Sequence, residues 1–391
     1  MRHFLFISFL LLSFSVHAQP YKKLHRNSIV VDTHNDVLSG AVLKGLNIDN
    51  DLTGLAHSDI NRFKEGGVDI QIFSVFCDER YGKGTAFAFA NREIDSLYAI
   101  IRRNPKRMML VTDPASFNKA VKQKKLGCMI GVEGGHMIED NLNYLDILYK
   151  RGTRYMTLTW NNSTSWASSA KDETAGTVPN NKKGLNVFGE ALVRKMNGLG
   201  MLIDISHVGE QTFWDVMKIT TKPVIASHSC VYSLCPHSRN LKDDQIKAIG
   251  KNGGVIHLNF YSGFVDSNYM KRKAAFLDKH DRERDSLKAL KLASYEIDEW
   301  MSKKYPAEAE ALRPTLSQLM DHLDHIVKLI GVNGVGLGSD FDGIESAPQG
   351  LDDVAQIPNI TKALMKRGYS KKDIKKILGE NFIRVFKANQ N

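Results

Sequence analysis

The sequence predicts an α/β protein built as a (β/α)8 barrel, and three observations support that fold class. Eight short apolar runs recur along the chain, and segments with helical periodicity separate most of them. The runs are continuously apolar rather than alternating, which is typical of parallel strands covered on both faces. Polar side chains suited to metal binding or acid–base chemistry follow several runs directly, as at the loop face of a barrel. An open doubly wound sheet is the alternative, but it would not bring the first and last strands together.

The strands and helices follow from these runs in chain order. The predicted strands cover residues 28–34, 68–76, 127–133, 155–160, 202–207, 223–228, 254–260 and 334–340. The predicted amphipathic helices cover residues 59–65, 86–103, 142–151, 185–199, 209–219, 243–249 and 317–330. Eight strands with helical crossovers are what a closed parallel barrel requires.

Two segments fall outside this repeat. Residues 163–183 are polar and rich in turn-forming residues, so we predict a long loop after the fourth strand. Residues 262–312 are highly charged and helical in composition, and we predict a helical insertion after the seventh strand. The loop over residues 163–183 would lie on the face of the barrel where substrate pockets are built.

The N-terminus has the organisation of a secretory signal peptide. A short basic segment precedes an apolar stretch over residues 4–16, and residues 16–18 (Val-His-Ala) form a small-x-small cleavage site. The apolar stretch is shorter than the ~20 residues that a membrane span needs. We therefore predict a signal peptide over residues 1–18 and a single catalytic barrel domain over residues 19–391. The expected location is periplasmic or secreted, with no membrane anchor after cleavage.

Charge and cysteine content narrow the classes of partner. The formal net charge is +10, but lysine and arginine are scattered and form no basic patch interleaved with aromatic residues. Nucleic acid is therefore a poor partner, whereas a basic surface favours anionic substrates, such as the free carboxylate of a peptide.

The four cysteines could pair in three ways, and a local bridge between Cys230 and Cys235 is one option.

Candidate metal ligands follow the first and third predicted strands. His34 and Asp36 are two residues apart, so both point to the same side of a strand end. Imidazole and carboxylate groups suit Zn2+. Glu133 lies among three glycines at the end of its strand, and a carboxylate there has two oxygens that could bridge two metals.

Two histidines follow the fifth and sixth predicted strands. His207 and His228 each end a strand, and neighbouring strands lie ~4.8 Å apart. A lone histidine in either place would more often be a buried structural residue. The pair in consecutive strands instead indicates a shared metal, because neutral imidazoles are good zinc ligands.

A carboxylate and a guanidinium complete the candidate site. Asp340 follows the last strand, which a closed barrel returns beside His34 and Asp36. It could bind metal or move a proton between water and a leaving amine, whereas Asp342 is better explained as a turn residue. Arg239 follows the sixth strand on the same face, where its planar fork could hold a substrate carboxylate.

Seven segments together resemble the membrane dipeptidase (renal dipeptidase) family of zinc metallopeptidases. They occur in the family's order over residues 31–36, 130–136, 154–159, 202–208, 224–229, 238–241 and 336–343. The resemblance implies a TIM-like barrel of the metal-dependent hydrolase type with two zinc ions per chain. It assigns His34 and Asp36 to one ion, His207 and His228 to the other, and Glu133 to both.

The resemblance also implies an activity. Family members hydrolyse dipeptides, many accept a D-residue at the C-terminal position, and homodimers are common among them. Arg239 matches the family's contact to the substrate carboxylate, and Asp340 matches its acid–base residue. Glu133 is a catalytic candidate as well as a ligand, and Tyr261, after the seventh strand, is a candidate for substrate binding.

One departure from the family concerns the end of the fourth strand. Mammalian members carry a substrate-binding histidine there, and this chain has Trp160. An indole donates one hydrogen bond but cannot become cationic, so we expect Trp160 to shape the substrate pocket. Trp160 and residues 163–183 are also where an amidohydrolase for N-acyl amino acids or other small amides would differ. A non-enzymatic binding protein is disfavoured because every ligand position is filled.

Overall fold

The computed structural model describes residues 20–390, and within this range nine parallel strands form one sheet. The strands are β1 (Val31–Asn35), β2 (Ile70–Phe76), β3 (Met108–Leu110), β4 (Leu126–Glu133), β5 (Thr153–Thr157), β6 (Leu202–Asp204), β7 (Ile225–Ala226), β8 (Val255–Leu258) and β9 (Val335–Leu337). The predicted signal peptide over residues 1–18 lies outside the described residues.

Eight of these strands close into a barrel. β2 pairs with β4 along its whole length, from Ile70 opposite Gly127 to Phe76 opposite Glu133. β1 pairs with β2 on one side and with β9 on the other, and the remaining strands follow in order back to β4. The first and last barrel strands are therefore neighbours. The predicted (β/α)8 barrel is confirmed, and the open doubly wound sheet is wrong.

The short strand β3 was not predicted. It pairs with the first residues of β4, and β5 takes over the same edge farther along. The helix that follows, α5 (Pro114–Gln123), was also missed, although Asp113 caps it by accepting a hydrogen bond from the Ser116 amide (2.7 Å). Three apolar residues after a basic helix end are too few to indicate a strand by periodicity.

Several predicted strands run past the observed C-terminal ends. The predictions 202–207 and 334–340 overrun β6 and β9, and those for β5, β7 and β8 overrun as well. The backbone explains two of these cases, because His207 and Asp340 have φ values of +64° and +63°. Left-handed residues cannot continue a strand. The polar residues at these strand ends therefore lie in turns rather than in the sheet.

The helices cover most of the chain between the strands. They are α1 (Pro20–Arg26), α2 (Val37–Gly40), α3 (Ile60–Glu65), α4 (Ala86–Arg103), α5, α6 (Leu142–Lys150), α7 (Ala170–Ala175), α8 (Val187–Leu199), α9 (Glu210–Ile219), α10 (Asp243–Asn252), α11 (Ser262–Val265), α12 (Tyr269–Lys279), α13 (Asp281–Ala289), α14 (Ser294–Lys304), α15 (Pro306–Leu312), α16 (Leu316–Ile330), α17 (Pro358–Lys366), α18 (Lys371–Lys375) and α19 (Asn381–Asn389). The seven predicted helices correspond to α3, α4, α6, α8, α9, α10 and α16.

The two segments outside the repeat differ from each other. The segment predicted as a loop, 163–183, contains the short helix α7, which Ser169 caps by accepting from the Asp172 amide (3.1 Å). The segment 262–312 forms α11 to α15, as predicted for a helical insertion. None of the helices among residues 20–390 is long and apolar enough to cross a membrane.

Helix α19 packs against the N-terminal end of the barrel. At the N-terminal ends of the strands, Phe382 and Phe386 of α19 join a buried apolar cluster with strand residues such as Val31 and Ile70. Burying an aromatic side chain of this kind contributes about 1.5–3 kcal/mol. The polar residues at the C-terminal ends therefore face the opposite side of the molecule from α19.

The helical insertion is tied to loops on that C-terminal side. Lys273 of α12 is buried, and its Nζ lies 2.9 Å from Glu345 after β9 and 2.7 Å from Asp298 of α14. Tyr295 of α14 donates a hydrogen bond to Asp78 after β2 (3.4 Å). The insertion thus contacts the loops that follow β9 and β2, the two strands that flank β1.

The cysteines are all free thiols. Cys230 and Cys235, which could have formed a local bridge, are both buried and make separate contacts. The Cys230 thiol donates to the carbonyl of Asn259 (3.1 Å), and the Cys235 thiol donates to the carbonyl of Gly263 (3.4 Å). The structure therefore shows no bridge between them, and burial raises the pKa of the Cys235 thiol to about 11.

Candidate metal centre

Five predicted ligands converge at the C-terminal ends of four barrel strands. They are His34 and Asp36 at the end of β1, Glu133 at the end of β4, His207 after β6 and His228 after β7. All five are buried. The barrel brings them together because its strands point their C-terminal ends to one face.

Glu133 lies between the other ligands. Its Oε2 is 3.5 Å from Nε2 of His34, which in turn is 3.3 Å from Oδ2 of Asp36. Its Oε1 is 2.9 Å from Nε2 of His207 and 3.3 Å from Nε2 of His228. The two oxygens of one carboxylate therefore face two different groups of side chains.

Several polar atoms of this cluster either lack a hydrogen-bond partner or face another atom of the same kind. Nε2 of His34 and Oδ1 of Asp36 are buried without a hydrogen-bond partner. Nε2 of His207 and Nε2 of His228 lie 3.1 Å apart, both beside the carboxylate of Glu133. Buried polar groups are normally satisfied, so a cation among these atoms would supply the missing partner.

The lowered pKa values of His207 and His228 fit metal binding, which requires neutral imidazoles. Burial, together with the positive charge of Arg239, lowers the pKa of His207 to about 4. Burial and the neighbouring His34 hold the pKa of His228 well below its ordinary value. Asn161 Oδ1 lies 3.1 Å from Nδ1 of His207 and can accept its proton, which leaves Nε2 with a lone pair. Neutral imidazoles and carboxylates are the nitrogen and oxygen ligands that zinc prefers.

Asp340 lies beside this cluster. Its Oδ1 is 3.9 Å from Nε2 of His34, and its Oδ2 accepts a hydrogen bond from Nδ2 of Asn259 (2.8 Å). Burial, opposed by His34 and reinforced by Asp36, raises the pKa of Asp340 well above its ordinary value. Ligand atoms of His34, Asp36 and Asp340 are close enough to surround one ion. The geometry therefore allows Asp340 either role, ligand or proton carrier.

The turn after β9 is built around Asp340. A Cβ at Gly343 would lie 2.3 Å from Oδ2 of Asp36 and 2.9 Å from Oδ1 of Asp340, so only glycine fits there. Asp342 accepts a hydrogen bond from the amide of His57 (2.7 Å). That contact holds Asp342 in the loop, in agreement with its prediction as a turn residue.

Arg239 is a buried cation at the rim of the cluster. It is only 6% exposed, and its Nη2 donates to the carbonyl of His228 (3.3 Å). Its Nε is buried without a hydrogen-bond partner. Burial lowers the pKa of Arg239 to about 10, which leaves it charged at neutral pH. It therefore has donor capacity free for an anionic group.

The two remaining predicted residues have different surroundings. The ring of Trp160 lies 4.9 Å from Phe76 and 6.4 Å from the ring of His207, so it is a wall of the site. The hydroxyl of Tyr261 donates to Glu345 and accepts from Lys273, both at 3.0 Å. Tyr261 is thus held by the insertion, and its amide rather than its hydroxyl connects it to the site, through Asn259 (2.6 Å).

Several residues that contact the cluster were not predicted. The hydroxyl of Tyr155 lies 2.7 Å from Nδ1 of His34, and Asn161 and Asn259 contact His207 and Asp340 as described. Tyr155 is the first residue of the strand predicted over residues 155–160, and its contact with His34 joins strands far apart in sequence. Asn259 carried a usable signal, since it is a polar residue at the end of an apolar run.

Comparison with known proteins places the chain in a family. Residues 18–391 match the family model for membrane dipeptidase, peptidase family M19. Among solved structures, the probable dipeptidase PvdM from Pseudomonas aeruginosa has a TM-score of 0.76 at 23% identity, covering 95% of this chain and 98% of that one. Dipeptidase AC, described as a metallo peptidase of family M19, has a TM-score of 0.75 at 23% identity, covering 93% and 98%.

A third structure carries a ligand. A metallo peptidase from Rhodobacter sphaeroides, liganded with a phosphinate mimic of the dipeptide L-Ala-D-Ala, has a TM-score of 0.72 at 21% identity, covering 93% of this chain and 99% of that one. At these identities the solved structures establish the shared fold. The family model, however, matches nearly the whole chain. This protein therefore belongs to the membrane dipeptidase family, peptidase family M19, and is a metal-dependent hydrolase of the dipeptidase class.

Proposed function

We propose that the protein is an exported dinuclear zinc dipeptidase that hydrolyses free dipeptides and tolerates a D-residue at the C-terminal position. The observation that carries this proposal is the position of Glu133. One oxygen faces His34, and the other faces His207 and His228. A carboxylate in that position suits two metal ions better than one.

The proposed ligand sets follow from these distances. His34 and Asp36 would hold one zinc ion, His207 and His228 the other, and Glu133 would contact both. When bound, zinc ions in such a site polarise a carbonyl group and activate water for attack. This division leaves Arg239, Asp340 and the aromatic wall to act on the substrate.

Arg239, Asp340 and the aromatic wall would each have a different role in the reaction. Arg239 would bind the substrate's terminal carboxylate through its free donors, because a guanidinium matches a carboxylate in geometry and charge. Asp340 would take a proton from the attacking water and deliver it to the leaving amine nitrogen. Since Asn259 already occupies Oδ2, Oδ1 is the oxygen available for that proton. Trp160 and Phe76 would limit the pocket and exclude water.

The substrate class is proposed from the family and from one structural relative. The Rhodobacter sphaeroides peptidase was solved with a mimic of a dipeptide that ends in a D-residue. The same fold and a buried arginine beside the cluster support a similar substrate here. An exported enzyme of this kind would act on dipeptides outside the cytoplasm.

A direct comparison of substrates separates this function from the amidohydrolase alternative. We expect free L,L and L,D dipeptides to be hydrolysed at least about tenfold faster than their N-acetylated forms, a difference of 1.4 kcal/mol in the barrier. Specific activity on each pair, with zinc measured in the same sample, gives the answer. A preference for the N-acetylated forms or for N-acetyl amino acids would favour the amidohydrolase.

Replacing Arg239 tests how the substrate is held. Arg239→Met removes a charge-assisted contact worth about 1.5–3 kcal/mol, so we expect KM for a free dipeptide to rise about 10–100-fold. A C-terminally amidated dipeptide lacks the carboxylate, so the variant and the wild type should handle it alike. Steady-state kinetics on both substrates measure this.

A second arginine provides the control. Arg384 lies in α19 at the other end of the barrel, where it donates to the carbonyls of Gly253 and Asn333 (3.0 Å to Asn333). Arg384→Met should therefore keep the wild-type KM. An unchanged KM in Arg239→Met would show that another group binds the carboxylate.

A further inference from the structure

We infer that Asp204 orients His228 through Ser227, in a carboxylate–serine–histidine relay that fixes which ring nitrogen of His228 faces the metal. Asp204 is itself a positioning residue and not a ligand. The inference rests on the proposed role of His228 as a zinc ligand, and it assigns the residues that make the ligand competent.

The hydrogen bonds of the relay have one consistent direction. Oγ of Ser227 lies 2.6 Å from Oδ2 of Asp204 and 2.7 Å from Nδ1 of His228. Both oxygens of Asp204 accept hydrogen bonds from their other partners, and the Ser227 hydroxyl likewise donates to Oδ2. The serine oxygen then accepts the Nδ1 proton of His228. That assignment leaves the lone pair on Nε2, the nitrogen that lies 3.3 Å from Glu133.

Asp204 also holds the ends of neighbouring strands. Its Oδ1 accepts from the amides of Ser227 (2.8 Å) and Ser206 (3.1 Å). Its Oδ2 accepts from the hydroxyl of Thr157 at the end of β5 (2.5 Å) as well as from Ser227. The donors belong to β5 and to the segments after β6 and β7. One carboxylate therefore ties together three adjacent strand ends.

The backbone of His228 is held by the same network. Its amide donates to Oγ of Ser206 (3.1 Å), and the Ser206 amide donates to Asp204. Asp204, Ser206, Ser227 and His228 are all almost completely inaccessible to solvent. Water therefore has little access to replace a lost partner, and both the ring and the main chain of His228 depend on Asp204.

The relay should act on metal affinity. A hydrogen bond to the far nitrogen of a ligating imidazole fixes its tautomer and raises its basicity, and loss of such a partner typically lowers metal affinity 10–100-fold. In Ser227→Ala the Nδ1 proton of His228 loses its acceptor. The other tautomer, with the proton on Nε2 and no lone pair for zinc, then becomes more populated.

The test is the zinc affinity of the full-length Ser227→Ala protein, measured by competition with a chromogenic chelator. We expect the affinity to fall about 10–100-fold relative to wild type. Ser74→Ala is the matched control, because Ser74 is a buried serine in β2 whose Oγ has no hydrogen-bond partner. It should bind zinc as the wild type does. Wild-type affinity in Ser227→Ala would overturn the relay.

A third variant separates the relay from the ligand assignment. His228→Ala should lose zinc more completely than Ser227→Ala. If His228→Ala loses zinc and Ser227→Ala does not weaken it, the relay is wrong and the ligand assignment stands. If His228→Ala keeps its zinc, the ligand assignment and the relay both fail. Asp204→Asn should weaken zinc as Ser227→Ala does, and if it fails to fold, Ser227→Ala still decides.

Discussion

Replacing Glu133 by alanine is expected to release bound zinc and to lower dipeptide hydrolysis at least about 1,000-fold. One oxygen of the Glu133 carboxylate faces His34, and the other faces His207 and His228. Metal ions in such a site contribute several kcal/mol to transition-state stabilisation, and each 1.36 kcal/mol is a factor of ten in rate. Zinc content and kcat/KM of the purified variant measure the two effects together.

A second buried glutamate is the control for this experiment. Glu93 in α4 accepts a hydrogen bond from the amide of Phe76 (2.7 Å) and lies outside the ligand cluster. Burial raises the pKa of Glu93 well above its ordinary value, which favours the neutral form that glutamine mimics closely. Glu93→Gln should keep both zinc and activity. Full activity with full zinc content in Glu133→Ala would contradict the proposed centre.

The second large effect is expected for Asp340→Asn, which should lower kcat about 100–10,000-fold while zinc content stays at the wild-type level. The amide keeps an oxygen that can accept from Asn259, so the loop should keep its contacts. An amide cannot carry the proton that the leaving amine needs. Single-turnover kinetics and metal analysis on the same protein measure both quantities.

The choice of leaving group sharpens this test. An anilide leaving group needs less protonation than an aliphatic amine, so the loss of kcat in Asp340→Asn should be smaller for an anilide. Asp342→Asn is the control, because Asp342 bonds the amide of His57 in the adjoining loop. It should keep the wild-type kcat. Loss of zinc from Asp340→Asn would instead show that Asp340 is a ligand.

The barrel could be predicted from sequence because its pattern is local. Eight continuously apolar runs separated by helical segments determine the order and type of the elements, and the closed barrel followed from them. What could not be predicted was the point where each strand ends. His207 and Asp340 continue their runs in sequence, but their positive φ values place them in turns. β3 was missed because it has only three residues.

The residues of the buried cluster, which we propose as metal ligands, were easier to predict than the groups that support them. His34, Glu133 and His228 directly follow apolar runs, and a parallel barrel necessarily collects such residues at one face. Tyr155 and Asn161 contact the cluster across strand ends, so no spacing in the sequence relates them to their partners. Their positions became visible only once the strand register was known.

The aromatic wall contains Trp160, the residue at which the sequence departs from the family pattern. Trp160 packs near Phe76 and His207, where mammalian members carry a histidine. The indole of Trp160 is neutral, whereas Arg239 is a buried cation beside the cluster. We therefore expect substrate orientation in this enzyme to depend more on the terminal carboxylate than on Trp160, the side chain after β5.

Zinc titration of the metal-free protein, with dipeptidase activity followed in the same samples, tests the central claim most directly. The account predicts that activity on a free dipeptide is absent without metal and reaches its maximum at two zinc ions per chain. Glu133→Ala should regain neither stoichiometry nor activity. Full activity in the metal-free protein, or maximal activity at one zinc ion per chain, would contradict the assignment of a dinuclear centre to the strand ends.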